Sequence, residues 1–220
     1  MTKKIKAIAF DLDGLMVNTE DIYDDVCQSL LSRRKLSFDQ DLKRRMMGRP
    51  GRVAIQIMKD ELRMNESVEE LQSEVAEIFH QIMPGTVKCL PGLADLLQFL
   101  EDRSLPKCVA TSSFRRHAEE VLQECQLLSR FDFVLTSEDV QEGKPHPEIY
   151  LLAAATHQVD PAEMLVLEDS VLGSQAGVAS GAVTVAVPGR HSLGMDYGHV
   201  EHVASSLEDS LIYDLIVGLD

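Results

Sequence analysis

Asp11 and Asp13 stand two residues apart, directly after the apolar run Ile8-Ala9-Phe10 and just before Gly14. Carboxylates at that spacing can face one region and divide the work of phosphoryl transfer. Asp11 can attack phosphorus as a nucleophile, while Asp13 protonates the leaving oxygen and later activates water. Gly14 lets the chain turn sharply behind them. Taken alone, Asp-x-Asp also describes a solvated pair at a strand end, so the reading depends on what else is present.

Three further motifs have the matching chemistry. Val109-Ala-Thr111-Ser112-Ser113 ends an apolar run in hydroxyls just before a helical pattern. The amino terminus of a helix offers free amides and a positive dipole end that suit a phosphate, although Ser and Thr are also its ordinary caps. Gly143-Lys144-Pro145-His146-Pro147 fixes a lysine between turn residues, where it can neutralise charge on a phosphoryl group or simply be solvated. It is not a nucleotide P-loop, because Pro145 follows the lysine and the upstream glycine is missing. Leu165-Val-Leu-Glu168-Asp169-Ser170 ends an apolar run in adjacent acids. Two acids there are costly unless a cation sits between them and Asp11, and hard oxygen donors beside a phosphate suit Mg²⁺.

These motifs must be held by a common scaffold. Lys4 to Phe10, Lys107 to Thr111, Phe133 to Thr136, Met164 to Leu167 and Ala182 to Val187 are short apolar runs separated by helical patterns. That alternation predicts an α/β fold with a parallel sheet covered on both faces. Such sheets bind ligands at the carboxyl ends of their strands, where all four motifs fall. Gly173, Ala176, Gly177 and Ala179 give a helix smooth enough to lie close on the sheet, which is read as packing.

The stretch from Thr19 to Met83 differs. Ile22, Val26 and Leu30 recur at helical spacing, as do Val68, Leu71, Val75, Ile78 and Ile82 behind a capping box at Ser67 and Glu70. An all-helical insertion at 18–84 is expected, with 1–17 and 85–220 forming the α/β core. Ser205 and Glu208 are expected to cap a last helix.

Acidic residues outnumber basic ones 36 to 21, for a net charge of −15. Such a surface repels nucleic acids and anionic membranes but leaves room for a small anionic substrate in one local pocket. No apolar run is long enough to span a bilayer, and the start lacks a signal-peptide pattern, so the cytoplasm is expected. A monomer is expected. Cys27, Cys89, Cys108 and Cys125 are scattered and read as reduced thiols.

With its four motifs in order and a helical insertion after the first, the chain resembles the haloacid dehalogenase superfamily. The resemblance is to the branch holding beta-phosphoglucomutases and small sugar-phosphate phosphatases, and it covers nearly the whole sequence. It implies a Rossmannoid core with a four-helix cap and an aspartyl-phosphate route. Asp11 would be the nucleophile and Asp13 the general acid and base. Thr111, with the Ser112 amide, would hold phosphoryl oxygens, and Lys144 would stabilise charge. Mg²⁺ would be held by Asp11, the Asp13 carbonyl and Asp169, with Glu168 at the metal directly or through water. The expected substrate is a small phosphorylated metabolite.

Departures from the branch bear on the reaction. The mutases carry a histidine on the first cap helix where this chain has Tyr23, and Val75 to Met83 holds no counterpart of their cap lysine. A phenol, with an ordinary pKa of about 10, is a poor base at neutral pH beside imidazole at about 6.5. Hydrolysis is therefore expected over mutase chemistry, which stays as the alternative. A phospho-aspartate signalling module is a further reading, although such modules are about half this length and lack a cap. Met47-Gly48-Arg49-Pro50-Gly51-Arg52 reads either as a specificity loop, with Arg49 and Arg52 as substrate-binding residues, or as ordinary surface. Arg115 and Arg116 oppose a helix dipole and read as solvated, and His191, His199 and His202 read as surface.

Overall fold

The computed structural model describes residues 4–46, 49 and 51–218. The described residues form two compact units, one running up to Asn18 and resuming at Lys88, the other Thr19–Val87. The first unit holds one parallel sheet of β1 (Ala7–Phe10), β2 (Lys107–Ala110), β3 (Phe133–Leu135), β4 (Met164–Glu168), β5 (Val183–Ala186) and β6 (His202–Val203), in the order β3-β2-β1-β4-β5-β6. This is the α/β class expected from the alternating apolar runs.

Every residue of β1, β2 and β4 is buried, as central strands of a doubly covered sheet must be. One face carries Ala7, Ala9, Cys108, Ala110 and Val166 against Ile149, Tyr150 and Ala153 of α7 (Glu148–His157) and Ala176 of α8 (Val171–Ala179). By strand alternation Ile8, Phe10, Leu165 and Leu167 point to the other face, all fully buried, each worth about 1.5–3 kcal/mol. Phe10 meets Phe131 edge-on there at 5.7 Å. Small residues let α8 approach: a Cβ on Gly177 would lie 2.7 Å from Thr184 Oγ1. The remaining helices of this unit are α5 (Leu93–Asp102), α6 (Arg115–Glu124) and α9 (Ser210–Val217).

The register sets the working edge. Phe10 lies beside Val109 on one side and Leu167 on the other, so the three strands end level. Strand order reverses between β1 and β4, which opens a crevice at that edge.

The second unit consists of α1 (Thr19–Ser32), α2 (Gln40–Met46), α3 (Gly51–Leu62) and α4 (Val68–Ile82). Ile22, Val26 and Leu30 of α1 and Val68, Leu71 and Ile78 of α4 are buried, matching the helical spacing. The capping box at Ser67 and Glu70 is formed in both directions. Tyr23 packs against Phe79, ring centroids 5.0 Å apart. Where the chain leaves and re-enters the first unit, Asn18 and Lys88 are joined by two hydrogen bonds of 3.1 and 2.6 Å.

One local expectation fails. The last helix starts at Ser210 under an Asp209 cap rather than at Ser205, because the Asp209 carboxylate accepts from the Leu211 amide while its second oxygen takes the Ser205 amide and hydroxyl. His202 lies half-exposed in the edge strand β6. No helix among the described residues is long and apolar enough to cross a membrane.

Candidate active site

Asp11 follows the last residue of β1, and its amide donates to the Leu167 carbonyl at 3.0 Å, tying it to the end of β4. Thr111 follows β2 and donates its amide to the Leu135 carbonyl of β3. Glu168 ends β4 and Asp169 comes next. Lys144 enters from the loop between β3 and α7. Its ammonium lies 2.6 Å from Asp11 Oδ1, 2.6 Å from Glu168 Oε1 and 2.9 Å from the Ala110 carbonyl. All three of its donors are used at the strand ends.

The charges are enclosed. Asp11, Lys144, Glu168 and Asp169 are all buried. Burial pushes the Asp11 carboxyl up to about 8, with Lys144 opposing the rise and Glu168 and Asp13 adding to it. Burial works against the charge on Lys144, but Asp11 and Glu168 outweigh it and hold the lysine well above its ordinary value.

For a metal ion the donor set fits. Asp11, Glu168 and Asp169 each offer a carboxylate oxygen, all within 4.8 Å of one another. Three buried carboxylates against one ammonium leave excess negative charge in a dry place, which a divalent cation would offset. Tyr197 supports the cluster by donating its hydroxyl to the Asp169 carbonyl.

Asp13 lies at the rim, its side chain 18% exposed. Gly14, at φ +81°, adopts a backbone conformation that other residues rarely take, and its amide closes a turn onto the Val17 carbonyl. The Asp13 carboxylate accepts from Ser113 Oγ at 2.7 Å and Thr111 Oγ1 at 3.3 Å, and lies 3.3 Å from His117 Nε2. Thr111 is buried and its hydroxyl oxygen also receives the Ser113 amide, while Ser112 is exposed.

Asp11, Asp13, Thr111, Lys144, Glu168 and Asp169 are thus gathered at one sheet edge. Arg49 and Arg52 belong to the helical unit. Arg49 is exposed, and Arg52 on α3 pairs with Glu69 on α4 at 2.6 Å. Met47, Gly48 and Pro50 of the same loop lie outside the described residues. Arg115 and Arg116 meet acids at the surface, Arg115 with Asp139 at 2.6 Å and Arg116 with Glu120 at 2.8 Å. His199, expected at the surface, is half-buried with Nε2 2.9 Å from Ser174 Oγ.

Four contributors escaped the sequence reading: Tyr150, Ser170, Gly173 and His117. Gly173 reads as packing in the sequence, and nothing in the apolar pattern of its helix singles out Tyr150. The signal available was the phenol itself, since a buried tyrosine hydroxyl needs a partner. His117 stands two residues beyond Arg115, and only the fold of α6 turns it toward Asp13.

Residues 8–187 match the haloacid dehalogenase-like hydrolase family. The phosphorylated carbohydrates phosphatase of Thermotoga maritima is 32% identical over 177 residues, covering 80% of this chain and 82% of that protein. (DL)-glycerol-3-phosphatase 2 of Arabidopsis thaliana is 32% identical over 216 residues, 94% of this chain and 88% of that one. Among solved structures, beta-phosphoglucomutase from Clostridium difficile has a TM-score of 0.80 over 97% of this chain and 98% of that one, at 20% identity, which is a likeness of fold. The matched span takes in all four motifs, β2 to β5 and β1 from Ile8, and the chain belongs to the haloacid dehalogenase-like hydrolases.

Proposed function

We propose that this enzyme is a Mg²⁺-dependent phosphatase of small phosphomonoesters, sugar phosphates or their like, working through a phosphoryl group on Asp11. The observation that carries the reading is the buried ammonium of Lys144, 2.6 Å from both Asp11 and Glu168, whose carboxylates cluster with that of Asp169 within 4.8 Å. It pairs a nucleophile with the charge compensation that phosphoryl transfer requires. The two phosphatase relatives support the substrate class.

An oxygen of Asp11 forms the bond to phosphorus as the ester oxygen leaves. Asp13 gives that oxygen its proton, then takes one from the water that attacks the aspartyl-phosphate and releases inorganic phosphate. The Thr111 hydroxyl and the Ser112 amide hold phosphoryl oxygens, and Lys144 balances their charge. Asp11, Asp169 and the Asp13 carbonyl would hold the metal, with Glu168 beside it directly or through water. When bound, Mg²⁺ supplies charge neutralisation and orients the phosphate. Arg49 and Arg52 are the proposed contacts to the rest of the substrate.

Tyr23 favours water over a sugar hydroxyl as acceptor. It is half-buried and packed on Phe79, and a phenol activates a second hydroxyl poorly. The test is phosphorus NMR on a panel of hexose, triose and aryl phosphates, with a trace of hexose bisphosphate. Expected are equal amounts of inorganic phosphate and free alcohol, loss of turnover in EDTA with recovery in Mg²⁺, and a loss of about a thousandfold in Asp11→Asn. Full activity without a divalent cation would refute the site. An isomeric hexose phosphate accumulating without inorganic phosphate would make the enzyme a mutase.

A further inference from the structure

We propose that Tyr150 is a positioning residue for this reaction: its hydroxyl locks Glu168, and Glu168 in turn fixes the ammonium of Lys144. The inference rests on the phosphatase reading above and concerns how the lysine is held.

Tyr150 is fully buried, among the largest buried side chains of the chain. Its hydroxyl donates to Glu168 Oε1 at 2.7 Å, and its ring lies 5.1 Å from the Lys144 nitrogen. Glu168 is 0% exposed, so its charge depends on protein donors alone. It has four. Oε1 takes Lys144 Nζ and the Tyr150 hydroxyl, and Oε2 takes the Ser170 amide at 3.2 Å and the Ser170 hydroxyl at 3.0 Å. A carboxylate has about four acceptor sites. All are matched.

The backbone enforces the same placement. A Cβ on Gly173 would sit 1.8 Å from Glu168 Oε1 and 2.0 Å from Cδ. The Glu168 carboxylate occupies the space a side chain on the first turn of α8 would fill. Ser170, the cap of that helix, is also one of its donors. The carboxylate is therefore gripped by α7 through Tyr150, by α8 through Ser170 and Gly173, and by the lysine.

Two consequences follow. Lys144 has in Glu168 a fixed anchor besides Asp11, so its ammonium keeps its place as charge moves onto the phosphoryl oxygens. With its acceptor sites taken, Glu168 serves the lysine, and direct metal ligation by carboxylates falls to Asp11 and Asp169.

The test compares Tyr150→Phe, which keeps the ring and removes one oxygen, with wild type. Expected is a fall in kcat of about tenfold with KM nearly unchanged, the mark of an interaction used in the transition state. In a Glu168→Gln background the same substitution should change kcat by less than about twofold, because partners in one chain of contacts are not additive. Calorimetric titration of Mg²⁺ without substrate gives a readout apart from turnover. Glu168→Gln, which removes charge but not a direct ligand, should weaken Mg²⁺ binding at least about tenfold less than Asp169→Asn does. A Tyr150→Phe enzyme with wild-type kcat, equal losses in both backgrounds, or Glu168→Gln losing Mg²⁺ as fully as Asp169→Asn would each overturn the proposal. A wild-type protein that hydrolyses no phosphomonoester would instead overturn the phosphatase reading.

Discussion

Lys144 has three hydrogen-bond donors and meets three acceptors, each at the end of a different strand. That one side chain measures the alignment of β1, β2 and β4 at their carboxyl ends. Its anchor depends on an atom that is absent, the Cβ of Gly173. Gly173→Ala would put a methyl inside the Glu168 carboxylate, which cannot move aside because Ser170, Tyr150 and Lys144 hold it. Expected are a loss of about 1–3 kcal/mol in denaturant stability and a fall in phosphatase rate of at least about a hundredfold. An Ala variant as stable and as fast as wild type would show that the carboxylate is not locked. The acids, Thr111 and Lys144 were legible in sequence because polar types closing apolar runs are conspicuous. Gly173 and Tyr150 were not, because their roles depend on which helix face meets Glu168, and that is fixed only by tertiary packing.

At the scale of elements, the strongest local signals were read closest to where they fall. β1, β2, β3 and β5 lie within the apolar runs, trimmed at their ends to what the ladder pairs, and β4 runs one residue past its own, to Glu168. β6, two residues at the sheet edge, has no periodicity to detect. The start of α9 was misplaced because Ser205 and Glu208 imitate a capping pair, whereas Asp209 binds the helix amide and Ser205 together. The Ser67–Glu70 box was readable since both partners lie within four residues, and its hydrogen bonds measure 2.7 and 3.1 Å. Ser67→Ala is expected to destabilise the Thr19–Val87 unit by about 1 kcal/mol and to speed amide exchange in the first turn of α4. Unchanged exchange there would mean that the box contributes nothing to holding the helix end.

At the scale of the molecule, a protein of net charge −15 is proposed to bind a substrate that is itself an anion. Its surface cations do not resolve this: Arg34 pairs with Glu66 and Glu74, Arg52 with Glu69, Arg115 with Asp139 and Arg130 with Glu101. The positive charge for a phosphate can come from Lys144, from amides at the strand ends and from a divalent cation held by Asp11 and Asp169. Whole-chain charge argues against polymers of like charge but cannot reveal that local balance, which depends on residues far apart in sequence meeting at one edge. The central claim is that Asp11 itself carries the phosphoryl group. The direct measurement is mass spectrometry of acid-quenched Asp13→Asn enzyme after mixing with Mg²⁺ and an aryl phosphate whose leaving group needs no protonation. Transfer to Asp11 can then proceed, while hydrolysis stalls for want of a base. The expected result is a gain of one phosphoryl group, mapped to the peptide containing Asp11 and removed by hydroxylamine. An unmodified Asp11, or a phosphoryl group on another residue, in a preparation whose wild-type form hydrolyses the same ester would contradict it.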